Sequence, residues 1–226
     1  ARRQRQMCIR DSIICLVGCK KGSNETTITG EIKGLGTDTL YLYGMDELYD
    51  RIDTIYVEND KFSYTTSVDT ITSAYLLLKN RIEYPVFLDK GNKIKIKGDT
   101  INLKFLTISG NIYNEEFTDF QKALEDPADP SEKAGEETVD KRITVEKANT
   151  AEEMAEEFIL QHHSSYVSLY LLDKYFVQKE TPDFSKIKKL VEVMTGVLQD
   201  KPYIERLNET ITQAEKSEIG KYAPFF

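Results

Sequence analysis

The sequence predicts an α+β protein, an N-terminal antiparallel β-sandwich or open barrel followed by a C-terminal α-helical region. Three observations carry this. From Thr26 to about Ser109, apolar and polar residues alternate in short runs separated by closely spaced turn clusters. After Gly110 the apolar residues recur at helical spacing. All three cysteines (Cys8, Cys15 and Cys19) fall at the start of the chain, so the body has no disulfide framework and must be held by an apolar core.

The first strand alternates Ile28, Gly30 and Ile32 with polar neighbours, and Gly34-Leu35-Gly36-Thr37-Asp38 turns it. Thr39 to Tyr43 sets a Leu face against a Tyr face. Arg51 to Val57 places Ile52, Thr54 and Tyr56 on one side and Asp53, Ile55 and Val57 on the other. Asn59-Asp60 is a natural reversal, from which Lys61 to Thr65 returns as the predicted partner strand. Ala74 to Leu78 is a short apolar run. Tyr84 to Leu88, the turn Asp89-Lys90-Gly91-Asn92, and Lys93 to Gly98 form a second predicted hairpin. In its returning strand the isoleucines face a core and the lysines face water. Lys104 to Ser109 is the last strand.

Beyond it, Asn111 is suited to cap a helix carrying Phe117, Phe120 and Leu124. Pro127, Pro130 and Gly135 then break the pattern. Further helices are predicted over 151–161, 166–178, 184–199 and 203–215. Thr181-Pro182-Asp183 supplies a start and Gly220 a stop. Val167, Leu171, Tyr170 and Tyr175-Phe176 form an apolar face suited to core or interhelix packing. The predicted organisation is an N-terminal signal remnant (1–19), a tether (20–25), a β-domain ending in a helix (26–125), an acidic linker (126–149), a helical connector (150–218) and a closing segment (219–226).

The net charge of −8 is uneven, since Tyr113 to His163 alone holds 15 acidic against 5 basic residues. No basic stripe is present, which argues against nucleic acid as a partner. His162 and His163 would point about 100° apart on a helix, a poor arrangement for one metal. Glu152-Glu153 and Glu156-Glu157 make i,i+4 carboxylate pairs, best read as a solvated face. There is no phosphate-binding G-x-x-x-x-G-K-[ST], no H-E-x-x-H, no G-x-S-x-G and no EF-hand loop. No catalytic, cofactor-binding or metal-ligating residue is assigned. The strand tyrosines Tyr41, Tyr43, Tyr56 and Tyr64, with Tyr49 near them, are either ordinary strand residues or a ligand face for glycan or peptide.

Leu16-Val17-Gly18-Cys19, after the apolar run Ile13-Ile14-Cys15, resembles the lipobox of a bacterial lipoprotein signal. The resemblance implies cleavage before Cys19 and lipidation of that residue, which would anchor everything after it to a membrane outside the cytoplasm. The apolar run is short and Arg10-Asp11 interrupts it, so the true N-terminus is expected upstream, with residues 1–12 artefactual. Lys20 stands where an aspartate is linked to inner-membrane retention, which favours the outer membrane.

Several segments in order resemble a family. They are Thr27-Ile28-Thr29-Gly30-Glu31-Ile32, Arg51-Ile52-Asp53-Thr54-Ile55, Asp60-Lys61-Phe62-Ser63-Tyr64, Phe87-Leu88-Asp89-Lys90-Gly91-Asn92 and Ile108 to Phe117. They are similar to the uncharacterised β-domain that precedes thioredoxin-like domains in Gram-negative envelope lipoproteins. In those proteins a helical connector follows, with a helix like Ser164 to Leu171. Ile219-Gly220-Lys221-Tyr222-Ala223-Pro224-Phe225-Phe226 resembles the opening Gly-x-x-Ala-Pro-x-Phe of the oxidoreductase domain. The resemblance implies a parent of the TlpA/ResA or AhpC/TSA kind, a thiol-disulfide oxidoreductase. The present chain would be its anchor and its spacer, recruiting or dimerising region. No Cys-x-x-Cys is present here, so the family's catalytic residues have no counterpart. The other reading is a free-standing envelope lipoprotein that binds glycan or peptide through the tyrosine face.

Overall fold

A computed structural model of the chain describes residues 24–45, 48–78, 81–125 and 141–217. Cys19 with its lipobox, tether residues 20–23, the Pro- and Gly-bearing stretch 126–140, the expected stop at Gly220 and the closing segment 219–226 lie outside the described residues.

Eight strands form two four-stranded sheets. They are β1 (Glu25–Lys33), β2 (Asp38–Gly44), β3 (Ile52–Val57), β4 (Lys61–Ser67), β5 (Thr72–Leu78), β6 (Ile82–Leu88), β7 (Lys93–Asp99) and β8 (Thr107–Ser109). One sheet runs β4-β1-β7-β8 and the other β3-β2-β5-β6. The alternation seen in the sequence sets the inward faces. Ile28, Ile32, Ile94 and Ile96 of the first sheet and Leu40, Leu42, Ile55 and Val57 of the second are buried in one hydrophobic cluster. Each such side chain contributes roughly 1.5–3 kcal/mol by leaving water. At Gly30 a Cβ would stand 2.1 Å from the Phe62 ring, so the missing side chain lets that ring cross the strand.

Both predicted hairpins are corrected. Asn59 and Asp60, at φ 50° and 68°, do make a tight reversal, with Glu58 N–H and Lys61 N–H each bonded to the other's carbonyl (2.9 and 3.1 Å). Beyond that bridge β4 leaves β3 and pairs antiparallel with β1. Likewise β7 leaves β6, pairing antiparallel with β8 and parallel with β1. That parallel pair departs from the wholly antiparallel expectation. A turn fixes chain direction, but the partner is chosen by which apolar faces meet across the core. The last strand is also shorter than expected, beginning at Thr107.

Five helices follow among the described residues: α1 (Ile112–Glu125), α2 (Lys141–Gln161), α3 (Tyr166–Leu172), α4 (Phe184–Val193) and α5 (Pro202–Ser217). The helix α2 starts at Lys141, within the span read as linker. The stretch 166–178 divides into α3 and a π-helical turn, Asp173–Val177, while α4 ends at Val193 before a separate 3-10 turn, Gly196–Leu198. Asn111 Oδ1 accepts from Asn114 N–H (3.0 Å), Ser165 Oγ from Val167 N–H (3.2 Å) and Asp183 Oδ1 from Lys186 N–H (3.0 Å). Each satisfies a donor that a helix start would leave open.

The helix α1 closes one side of the sandwich, where the edge strands β6 and β8 would expose free backbone groups. Asn114, only 1% exposed, accepts from Phe87 N–H (3.0 Å) and donates to Phe87 O (2.8 Å) on β6. One turn on, Thr118 Oγ1 accepts from Ile108 N–H (3.0 Å) and donates to Ile108 O (2.9 Å) on β8. Tyr84 Oη adds a third stitch, donating to Leu106 O (2.7 Å) and accepting from Leu106 N–H (3.0 Å). The opposite side, between β3 and β4, is tied by Arg51. Its guanidinium reaches Thr66 and Ser67 O (3.3 Å), pairs with Asp53 (3.1 Å) and lies over the Tyr49 ring.

The helical layer docks through aromatic rings. Tyr170 packs edge-on against Phe117 (5.2 Å) and Tyr75 (6.4 Å), and Tyr166 against Tyr113 (5.2 Å). Lys201 adds a cation over the Tyr166 ring (4.7 Å) and a bond to Ile71 O (3.4 Å).

Candidate functional site

A cavity of about 670 Å³ opens between the outer face of the β3-β2-β5-β6 sheet and the helical layer. The sheet contributes Tyr75, and the helices contribute Tyr170, Phe184 and Tyr203 as aromatic walls. The volume falls within the range of small-molecule sites, and so does the composition, an apolar lining with a few convergent polar groups.

Asp173 is the carboxylate among the lining residues. Tyr203 Oη donates to its Oδ1 (2.6 Å) and Gln178 Nε2 to its Oδ2 (2.6 Å). The π-helical turn explains the placement. Gln178 N–H bonds to Asp173 O (3.0 Å), widening the helix so that Asp173, Val177 and Gln178 all come to the cavity. Burial pushes the hydroxyls of Tyr75, Tyr170 and Tyr203 up, and the negative charge of Asp173 adds to the shift at all three. These phenols are protonated at neutral pH, and that of Tyr203 is the one bonded to Asp173. Arg206 stands exposed at the rim and has an interaction of its own.

The tyrosines named from the sequence divide. Tyr41 and Tyr43 on β2 and Tyr56 on β3 share the outer face of one sheet, beside Ile52. There Ile52 and Tyr56 are 73% and 72% exposed and Tyr41 is 42% exposed. Tyr43 leans on Tyr75 (5.6 Å) and donates to Glu83 (2.5 Å). Tyr64 lies on β4 of the other sheet, half-buried against the core, so it does not join them. Burial, assisted by Asp53, pushes its hydroxyl up to about 12.

The histidines go to separate partners. His162 stacks on Phe158 (4.2 Å) with Nδ1 3.5 Å from Glu116, while His163 Nδ1 meets Thr195 Oγ1 (3.0 Å). Glu152 is bridged by Lys179 and Lys186, and Glu156 by Lys186 at 2.7 Å. Partial burial works against the charged form of Glu152, but the two ammonium groups prevail and hold its carboxyl below the usual range. Among the described residues no group of three or more His, Cys, Asp or Glu could hold a metal ion. No described helix is long and apolar enough to cross a membrane.

The sequence reading placed Tyr170 in packing and did not single out Tyr75, Asp173 or Tyr203. Asp173 carried a usable signal, a carboxylate directly after the largely apolar run Tyr166–Leu172. No curated protein matches the chain. Residues 26–117, most of the β-module and the start of α1, match the model of DUF4369, a domain of unknown function.

Proposed function

We propose that this chain is the non-catalytic anchor and accessory region of a cell-envelope thiol-disulfide oxidoreductase lipoprotein. It serves as a spacer that recruits a partner or dimerises. Cys19 carries the lipid anchor, the module faces the periplasm from the outer membrane, and a thioredoxin-like domain is joined to its C-terminal end. The single observation carrying the reading is the DUF4369 match over a sandwich with a helical layer docked behind it, the order that the family resemblance implies. The experiment is to read the source locus past codon 226 and upstream of codon 13. A continuing frame encoding a Cys-x-x-Cys is expected, and a stop codon directly after Phe226 would overturn the reading.

One observation favours a second function, a free-standing envelope lipoprotein that binds glycan or peptide. Tyr41 and Tyr56 lie open beside Ile52 on one sheet face, an aromatic surface suited to stacking on a sugar ring or a peptide. It predicts ligand binding that falls on Tyr41→Ala and Tyr56→Ala substitution.

A further inference from the structure

We infer that the cavity between the sheet and the helical layer is a binding site for a small organic ammonium ion with an apolar body. The site is built from both halves of the chain, since Tyr75 comes from β5 and Tyr170, Asp173 and Tyr203 from the helices. Asp173 and the aromatic faces give its wall a negative character, with Arg206 the one cation among the described lining residues. Aromatic faces carry negative quadrupole charge, and in a low-dielectric pocket they favour a cation over a neutral group of equal size. Asp173 supplies a full negative charge beside them, oriented by the Tyr203 hydroxyl and the Gln178 amide, each 2.6 Å from one of its oxygens. These donors fix the carboxylate without cancelling its charge, and each oxygen keeps acceptor capacity for an ammonium. The cation of the lining, Arg206, is exposed and has an interaction of its own. Leu169, Leu207 and Phe184 are among the apolar lining residues and would take up the apolar body. An anion of the same shape would meet Asp173 and the ring faces as repulsion. The inference is independent of the proposed redox parent, because it uses only side chains of this chain.

The test is calorimetric titration of the whole chain with three probes of one shape: phenethylammonium, neutral 2-phenylethanol and 3-phenylpropanoate. The expected result is binding of the ammonium with an affinity about tenfold or more above both others. Asp173→Asn keeps the side-chain shape and should cut ammonium affinity about tenfold while leaving the circular dichroism spectrum intact. Equal binding of the three probes would reduce the site to an apolar pocket and overturn the inference. So would no binding of the ammonium, or unchanged affinity in a folded Asp173→Asn variant. If that variant does not fold, the comparison of ammonium with carboxylate on the unaltered chain decides alone.

Discussion

Asn114 and Thr118 are polar, buried and one helical turn apart, and each satisfies both backbone groups of one residue on a sheet edge. Replacing Thr118 by the isosteric Val leaves the Ile108 N–H and C=O without the hydroxyl in a buried setting. The expected loss is about 2–3 kcal/mol, read as a lower urea midpoint, with Thr118→Ser nearer the parent because it keeps the hydroxyl. If Val and Ser variants were equally stable, the hydroxyl would not be what holds the edge. The sequence carried only part of this. The cap at Asn111 is visible because capping is a local contact along the chain. Asn114 and Thr118 look like ordinary helix residues until two distant strand edges are brought against them. Gly110 is similar: at φ 118° a Cβ would stand 2.3 Å from Lys93 O, a clash set by the β7 backbone.

Among elements, two turns are bonded to each other. Asp60 accepts from Gly36 N–H through its side chain (2.6 Å) and donates its own N–H to Gly36 O (2.9 Å). The β3–β4 reversal is thereby pinned to the β1–β2 turn just where the chain changes sheets. Asp60 also sits at φ 68°. Asp60→Ala loses the side-chain bond and adds left-handed backbone strain, for an expected cost of about 2–3 kcal/mol. Asp60→Gly loses only the bond, so it should cost about 1 kcal/mol by denaturant titration. A glycine variant as damaged as the alanine one would mean that the bond, and not the backbone, carries the effect. At this scale the strand positions were readable, and so was the inward face of the lysine-bearing strand β7, whereas the partners were not. The start of α2 was hidden for another reason. Its first residues, Lys141 to Thr150, are polar enough to read as linker.

For the whole molecule, the buried tyrosines give a pH signature. Burial pushes the hydroxyls of Tyr75, Tyr84, Tyr170 and Tyr203 above their ordinary value of 10.0. Asp173 reinforces the shift at Tyr75, Tyr170 and Tyr203. Above pH 10 the unfolded chain sheds these protons while the folded chain keeps them, so their contribution is whole below pH 10 and declines as pH rises. Each such hydroxyl adds about 1.4 kcal/mol of lost stability per pH unit in that window. Denaturant midpoints should therefore be level through pH 9 and fall steeply above pH 10, with phenolate absorbance at the unfolding transition. Phenolate absorbance that rises before unfolding would show these hydroxyls to be accessible to water.

The sequence by itself determined the α+β class, the alternation that separates the two faces of several strands, the caps at Asn111 and Asp183, and a body without thiols. These follow from periodicity and from contacts between near neighbours, both of which a linear chain displays. Tertiary structure decided the pairing of β4 and β7 with β1, the closure of two sheet edges by α1, and the cavity in which Tyr75 meets Tyr170, Asp173 and Tyr203. Those residues lie far apart along the chain, and their juxtaposition comes from which apolar surfaces exclude water together. No local spacing encodes that choice.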